Sequence, residues 1–162
     1  MQIIGSGGGQ MAFSSERDMV EAIKTSTYLQ NLISTEPRLI REEVKGYFGV
    51  PDLVVVGSDN EKQIAIAFEA KLSNWRRALF QAFRYKAFVN KSYVIMDDEF
   101  VNPALSQKAR FKRSNIGLLS IDHNGSVHCH YDPYYESPYS SQLESKFNIS
   151  IENFVRKCPD AH

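Results

Sequence analysis

The chain has 162 residues with 19 basic and 19 acidic side chains, so its formal net charge at pH 7 is zero. This length suits one domain with a full hydrophobic core, and the balanced charge excludes the chain-wide positive field that attracts nucleic acid. No run of ~18 or more apolar residues occurs, so we expect no membrane partner. We expect a cytoplasmic protein, because the N-terminus lacks a basic signal-peptide start and Cys129 and Cys158 show no disulfide or zinc spacing.

In chain order, a glycine-rich stretch comes first and a single predicted domain over 14–162 follows. Residues 1–13 contain Gly5-Ser6-Gly7-Gly8-Gly9, which predicts a flexible segment in which Met11 is a candidate natural start. Hydrophobic periodicity then predicts helices over 14–32, 74–90 and 103–113, and strands over 38–45, 50–57, 63–72, 91–97, 116–122 and 126–131. The last two strands should form a hairpin around Asn124-Gly125, followed by a loop over 132–141 and a short helix ending at 157.

Two of these strands place acidic residues at the same end of a hairpin. Asp52 lies near the start of the strand over 50–57, and Glu69 lies near the end of the strand over 63–72. The segment over 58–62 that joins them is polar and rich in turn-forming residues. Antiparallel pairing therefore brings the two carboxylates together. Lys71 shares a face with Glu69, because side chains alternate along a strand.

Such charges are costly within apolar strands unless they bind something. Burying a carboxylate or an ammonium group costs several kcal/mol unless a partner or a metal compensates. The carboxylates of Asp52 and Glu69 suit Mg²⁺, which Mn²⁺ can replace, and the backbone carbonyl of Ala70 is a further candidate ligand. Such a metal lowers the pKa of a bound water, and Lys71 would orient that water, help to deprotonate it or neutralise the transition state. A Pro-Asp turn and a solvated Glu-Lys ion pair are the alternative explanation.

The motif Pro51-Asp52 … Glu69-Ala70-Lys71 resembles the signature of the PD-(D/E)XK nuclease superfamily. Gln81 and Tyr85 match the Q-x-x-x-Y pattern of RecB-like members, and the similarity spans residues 14–97. The resemblance implies an α/β fold with a restriction-endonuclease-like αβββαβ core, in which helices flank a mixed central sheet. The first six predicted elements follow that order, and the C-terminal β-hairpin would be an extension of the core. The resemblance also implies hydrolysis of DNA phosphodiester bonds through a metal-activated water.

This superfamily commonly takes a further acidic ligand from the helix before the first strand, and we expect Glu16 in that role. The predicted inward stripe of the helix over 14–32 contains Glu16 together with Val20, Ile23 and Thr27. A first-turn carboxylate that complements the helix dipole is the alternative explanation for Glu16. The other candidate acids are Glu21, on the side of the same helix, and Glu42 and Glu43, on the next strand.

Basic and polar side chains of the helix over 74–90 are candidate contacts to a DNA partner. The expected substrate-binding residues are Arg77, Gln81, Arg84 and Tyr85. Gln81 could instead hold the metal ligands in place, and Tyr85 could pack within the core. A second basic run consists of Lys108, Arg110, Lys112 and Arg113. A domain of this size often cuts both strands as a homodimer, which is therefore a candidate assembly.

Two other functions stay open from the sequence. The motif does not distinguish DNA from RNA as the substrate, and a nuclease fold can bind nucleic acid or scaffold a complex without cutting. The run His128-Cys129-His130 predicts a surface strand and no metal site, because alternation puts the two histidines on one face and the cysteine on the other.

Overall fold

A computed structural model of the chain describes residues 12–32, 39–45 and 47–158, so most of the predicted flexible segment over 1–13 lies outside the described residues. The fold is α/β, with helices on both faces of a six-stranded mixed sheet. The strands are β1 (Leu39–Glu42), β2 (Leu53–Asp59), β3 (Lys62–Lys71), β4 (Lys91–Asp97), β5 (Gly117–Ile121) and β6 (Val127–Tyr131). The helices are α1 (Glu16–Lys24), α2 (Thr27–Asn31), α3 (Trp75–Tyr85), α4 (Asn102–Leu105), α5 (Lys108–Ser114) and α6 (Ser141–Lys157), with a 3₁₀ turn over Asp98–Phe100.

The order of the strands in the sheet follows their order in the chain. The pairs β1–β2, β2–β3 and β5–β6 are antiparallel, whereas β3–β4 and β4–β5 are parallel. The predicted hairpin over 50–72 is confirmed, because β2 and β3 pair from Leu53 opposite Phe68 to Asp59 opposite Lys62. β3 therefore joins the antiparallel part of the sheet to its parallel part and has a hydrogen-bonded neighbour on each side.

The C-terminal hairpin forms as predicted, and it extends the core by joining the central sheet. β5 pairs in parallel with β4, so β5 and β6 are the fifth and sixth strands of the central sheet. The terminal helix is also longer than predicted, because α6 has 17 residues. Ser140 caps it by accepting the backbone N–H of Leu143 at 3.2 Å, and Phe147 and Ile151, one turn apart, are buried against the sheet.

The predicted helix over 14–32 is two helices. Ser26 follows α1 and caps α2, since its hydroxyl accepts the backbone N–H of Leu29 at 3.3 Å and donates to the carbonyl of Ile23 at 2.7 Å. A serine that competes with the helix backbone in this way favours a break. The inward stripe of α1, with Met19, Val20 and Ile23, is buried as predicted. Thr27 lies beyond the break and is exposed, so its predicted place on that stripe is wrong.

Other element boundaries also differ from the predicted ones. α3 ends at Tyr85 rather than at 90, because the chain turns so that Asn90 can exchange hydrogen bonds of 2.9 Å with the backbone of Ala65. β1 stops at Glu42, since Glu43 adopts a left-handed φ of 47°. The predicted helix over 103–113 is the two short helices α4 and α5.

Two hydrophobic layers enclose the sheet. α1 and α2 cover one face, where Met19 and Leu29 belong to the same buried cluster as Phe68 and Ile95. The helices α3, α4, α5 and α6 cover the other face. Each large apolar side chain buried in this way contributes about 1.5–3 kcal/mol, so the sheet is a firm support for the charged residues at the carboxyl end of β3. No helix in the described ranges is long and apolar enough to cross a membrane.

Candidate active site

The charged residues of β3 lie at its carboxyl end. Glu69 and Lys71 alternate with Ala70, which belongs to the cluster under α1, so the two charged side chains are on the face that α3 and α6 cover. The Nζ atom of Lys71 lies 3.2 Å from Oε1 of Glu69. Glu69 and Lys71 therefore share a face, as predicted, and their ion pair is largely buried rather than solvated as in the alternative explanation.

Asp52 joins this group through the backbone of the neighbouring strand. Its Oδ2 atom accepts the backbone N–H of Ala70 at 2.8 Å. Its own N–H donates to the carbonyl of Phe68 at 3.1 Å. Pro51, which has no N–H, precedes it, so β2 begins at Leu53 rather than at the predicted 50, and the carboxylate supplies an acceptor where the ladder ends. One carboxylate oxygen of Asp52 is thereby held beside the backbone that separates Glu69 from Lys71.

Glu69 is almost fully buried, with 1% of its surface exposed. The hydroxyl of Tyr85 donates a hydrogen bond to its Oε2 atom. Burial, followed by the negative charge of Asp52, raises the pKa of Glu69 above its usual value. Burial also raises the pKa of Asp52, and the nearby acids Glu16 and Glu43 add to the effect. Burial and mutual repulsion thus raise the pKa values of both carboxyl groups. A positively charged partner beside them would stabilise their ionised forms.

Lys71 links the carboxylates of β3 and α1. Its Nζ atom is 3.4 Å from Oε2 of Glu16, in addition to its contact with Glu69. Burial disfavours the ammonium form, but the charges of Glu69, Glu16 and Asp52 outweigh burial and raise the pKa of Lys71. Lys71 is therefore protonated at neutral pH in this arrangement. Of its predicted roles, orientation and charge neutralisation agree with that state, whereas removal of a proton from water does not.

The structure separates the candidate additional acids into two groups. Glu21 and Glu42 both contact Lys24, with Nζ–Oε1 distances of 3.5 Å and 2.7 Å. Glu16 reaches Lys71 as described, and the backbone N–H of Glu43 donates to the carbonyl of Asp52 at 3.2 Å. Glu16 is thus brought to the site and Glu21 is not. The side chain of Glu43 is exposed, and only its backbone contacts Asp52.

An acidic cavity of about 360 Å³ opens beside these residues, lined by Glu16, Arg17, Val20, Glu42, Glu43 and Asp52. Across the described ranges, no three His, Cys, Asp or Glu side chains are grouped so that they could hold a metal ion. The available donor set is smaller and consists of Asp52 and Glu69, with Glu16 held on Lys71. This set fits Mg²⁺, which is commonly bound by one or two carboxylates with the remaining positions filled by water and substrate phosphate.

The predicted substrate contacts lie along α3, which Asn74 caps by accepting the backbone N–H of Arg77 at 3.2 Å. Arg77 is exposed, and Arg84 and Gln81 are half-buried. Tyr85 has only 1% of its surface exposed, so it faces Glu69 rather than open solvent. The structure therefore gives Tyr85 a positioning contact to a candidate ligand, and substrate contact stays a prediction for the other three residues.

The sequence pattern does not predict that the segment before Pro51 packs on Tyr85. The hydroxyl of Tyr85 is also 3.0 Å from the carbonyl oxygen of Val50. Gly49 has a φ of +104°, and a Cβ atom there would lie 2.7 Å from Cε1 of Tyr85, so only glycine fits. This approach places Phe48 beside the site. A glycine two residues before Pro51 is the signal in the sequence, and it does not reveal which ring the glycine contacts.

The His128-Cys129-His130 run lies on β6, where His128 and Cys129 are exposed, as expected for a surface strand. His130 instead contacts the hydroxyl of Ser120 at 2.8 Å.

No known protein-family model matches the chain, and no curated protein sequence is significantly similar to it.

Proposed function

We propose that this chain is a Mg²⁺-dependent nuclease that hydrolyses DNA phosphodiester bonds, on a restriction-endonuclease-like variant of the α/β fold. The observation that carries the proposal is the convergence of Asp52, Glu69 and Lys71 at the carboxyl end of β3. Glu69 and Lys71 are in direct contact at 3.2 Å, and Asp52 is held by the backbone of Ala70 between them. Buried groups with raised pKa values that converge beside a cavity are typical of catalytic centres.

The proposed chemistry divides among the residues of this group. When bound, Mg²⁺ would stabilise the charge that develops on the phosphate and activate a water molecule. Asp52 and Glu69 would hold the ion, together with the carbonyl of Ala70. Glu16 would support the site through Lys71. The protonated Lys71 would orient the attacking water and stabilise the negative charge that develops on the phosphate, since a cation that is already in place needs no reorganisation during the reaction.

The arrangement of the elements also supports the proposal. α1, the strands β1 to β3, α3 and β4 follow the αβββαβ order that the resemblance implies. α1 supplies Glu16 from one layer and α3 supplies Tyr85 from the other, so the site is assembled from both sides of the sheet. A cytoplasmic location and a homodimeric assembly belong to the same proposal.

The test is a cleavage assay with Mg²⁺ or Mn²⁺ on supercoiled plasmid, linear duplex, single strand, branched junction and RNA. Asp52→Asn and Lys71→Met would be assayed beside the wild type. Glu61→Gln is the matched control, because Glu61 is an exposed acid at the opposite end of the same hairpin. We expect metal-dependent cutting of DNA that both site variants lose and the control retains. Cutting that survives Asp52→Asn, or cutting in EDTA, would contradict the assigned site.

A second candidate function is a nucleic-acid-binding module that does not cut. The observation that favours it is that the carboxylates already have partners in the protein, since Glu69 is engaged by Tyr85 and Lys71, and Glu16 by Lys71. The same assay separates the two candidates. A non-cutting module binds DNA equally with and without Mg²⁺, and Asp52→Asn leaves that binding unchanged.

A further inference from the structure

An exposed aromatic surface lies next to the candidate active site. Phe48 and Phe80 have 49% and 65% of their surface exposed. The guanidinium carbon of Arg84 lies 4.2 Å from the centroid of the Phe48 ring and 5.9 Å from that of Phe80. We refer to these three residues as the Phe48–Arg84–Phe80 surface. Two exposed rings that share one guanidinium group are unlike the scattered single apolar residues that are normal on a protein surface.

This surface is continuous with the candidate site. Arg84 directly precedes Tyr85, whose hydroxyl contacts the candidate ligand Glu69. On the other side, Gly49 and Val50 pack on the same tyrosine, and Phe48 precedes them in the chain. A chain bound across the Phe48–Arg84–Phe80 surface would therefore lie next to the segments that pack on Glu69 at the end of β3.

The charge of the surface favours a polyanion. Among the residues that the structure describes, none accepts a hydrogen bond from the buried Nε atom of Arg84. Arg76 and Arg77 are exposed on the same helix. Beside Phe80 a cavity of about 300 Å³ is lined by Arg76, Leu79, Phe83 and Ser114. Arginine and aromatic side chains thus alternate along one side of α3, and none of the cavity's lining residues is acidic.

Aromatic rings interleaved with arginine suit unpaired bases. Every base has a π-face that stacks on an aromatic ring, and arginine neutralises the phosphates between successive bases. In a duplex those faces are covered by neighbouring base pairs, so a stacking surface gains little from double-stranded DNA. We propose that the Phe48–Arg84–Phe80 surface binds unpaired bases of single-stranded DNA beside the phosphate at the carboxyl end of β3. The proposal rests on the proposed nuclease function for that phosphate, and it names the substrate class.

The test measures binding separately from cutting. Fluorescence anisotropy in EDTA would follow a labelled single-stranded oligodeoxynucleotide and the duplex of the same sequence. The variants are Phe80→Ala, Phe80→Leu and Phe80→Trp, because Phe80 is exposed enough for its replacement to leave the fold intact. Ile149→Ala is the matched control, since Ile149 is 61% exposed on the outer side of α6. A stacked base predicts that Phe80→Ala and Phe80→Leu weaken single-strand binding by roughly 5- to 100-fold, whereas Phe80→Trp and the control keep it.

Several outcomes would overturn the inference. If Phe80→Leu binds the single strand as well as the wild type does, the surface offers apolar area for a protein partner and not a stacking ring. Equal affinity for duplex and single strand would also overturn the inference. So would the absence of measurable single-strand binding. Binding that depends on Phe80 without any cutting would support this inference while contradicting the nuclease. Metal-dependent cutting with no dependence on Phe80 would do the reverse.

Discussion

The hydroxyl of Tyr85 on α3 donates a hydrogen bond to the carboxylate of Glu69 on β3. Both residues are 1% exposed, so the donor replaces solvent for one oxygen of a buried candidate ligand. A hydrogen bond to a metal ligand fixes the direction of its lone pairs and thereby tunes the affinity for the metal. Tyr85 therefore acts on the proposed ion through Glu69.

We expect Tyr85→Phe to weaken Mg²⁺ binding by roughly 10- to 100-fold, because Glu69 loses the donor that orients it. The free energy of unfolding should also fall by about 1–3 kcal/mol, since a buried acceptor loses its partner. Isothermal titration calorimetry and urea unfolding measure the two effects. Tyr93→Phe is the control, because the Tyr93 hydroxyl donates to Asp132 at 2.5 Å, outside the site. An equal loss of Mg²⁺ affinity in Tyr93→Phe would show that the effect is not local.

Asp52→Asn should make the metal-free protein more stable at pH 7 while it abolishes cleavage. Burial raises the pKa of Asp52, so its ionised form is disfavoured in the folded state and destabilises the protein at neutral pH. The asparagine oxygen can still accept the N–H of Ala70. We expect a gain of about 0.5–2 kcal/mol in urea unfolding, and Glu61→Gln on the exposed turn should change stability by less than about 0.5 kcal/mol. A loss of stability in Asp52→Asn would contradict this electrostatic account.

Glu16→Gln and Glu21→Gln separate the acid at the site from its neighbour on the same helix. Glu16 lies 3.4 Å from Lys71, whereas Glu21 lies 3.5 Å from Lys24. Loss of a partner that holds a catalytic group commonly lowers activity by roughly 10- to 100-fold. The cleavage rate of Glu16→Gln should therefore fall by that factor, whereas the rate of Glu21→Gln should stay at the wild-type value. Equal rates for the two variants would exclude Glu16 from the site, and Glu43 would then be the next candidate.

Gly49→Ala tests the packing of the segment over Tyr85. The new Cβ atom would lie 2.7 Å from Cε1 of Tyr85 at a φ of +104°, so both backbone strain and a clash are expected. Gly125→Ala is the control, because Gly125 also has a positive φ, of +82°, but has nothing within 4 Å of the added atom. Thermal or urea unfolding should show a loss of roughly 1 kcal/mol for Gly125→Ala and a clearly larger loss for Gly49→Ala. Equal losses would mean that the Tyr85 ring moves away without cost.

The carboxylate of Glu136 gives a pH dependence far from the site. It accepts from Asn115 at 2.6 Å and from the buried Lys86 at 3.1 Å. Burial alone would raise its pKa, but these hydrogen bonds and the lysine charge outweigh burial and lower it. A lowered pKa means that the stabilisation is complete above the ordinary value of 4.5 and is lost as the pH falls through the lower folded value.

Glu136→Gln should therefore lower the free energy of unfolding by about 1.5–3 kcal/mol at neutral pH, as expected for hydrogen bonds to charged groups. The difference from the wild type should shrink as the pH falls below 4.5, the ordinary glutamate value. Urea unfolding across this range checks the sign. The exposed Glu99→Gln is the control and should follow the wild-type curve. A difference for Glu136→Gln that stays constant down to low pH would assign the effect to packing.

Much of the sheet could be predicted from the sequence because strand patterns are local. The period of two put Glu69 and Lys71 on one face, and the polar turn over 58–62 set the pairing that brings Asp52 to them. The split of the first helix was less visible, since it depends on the hydroxyl of Ser26, and serine also occurs within helices. Propensity and pattern do not decide between those two states.

The contacts that complete the site could not be predicted, because they join distant parts of the chain. The bond between Tyr85 and Glu69 depends on how α3 lies across the sheet, and the approach of Gly49 to Tyr85 depends on the path of a loop. The same limit applies to the third acid. Helical periodicity places Glu16 on the side of α1 that faces the sheet, but only the packing of α1 on the sheet shows that it reaches Lys71.

β3 has 10 residues and is the longest of the six described strands, and it is hydrogen-bonded to β2 on one side and β4 on the other. Amide hydrogens of such a strand exchange with solvent only through the rarer and larger opening events. Glu69, Ala70 and Lys71 lie just beyond the pairing with β2, but each of them pairs with a residue of β4, so they belong to the sheet rather than to a loop. An incoming cation would meet donors that are already ordered, so little conformational entropy would be lost when it binds.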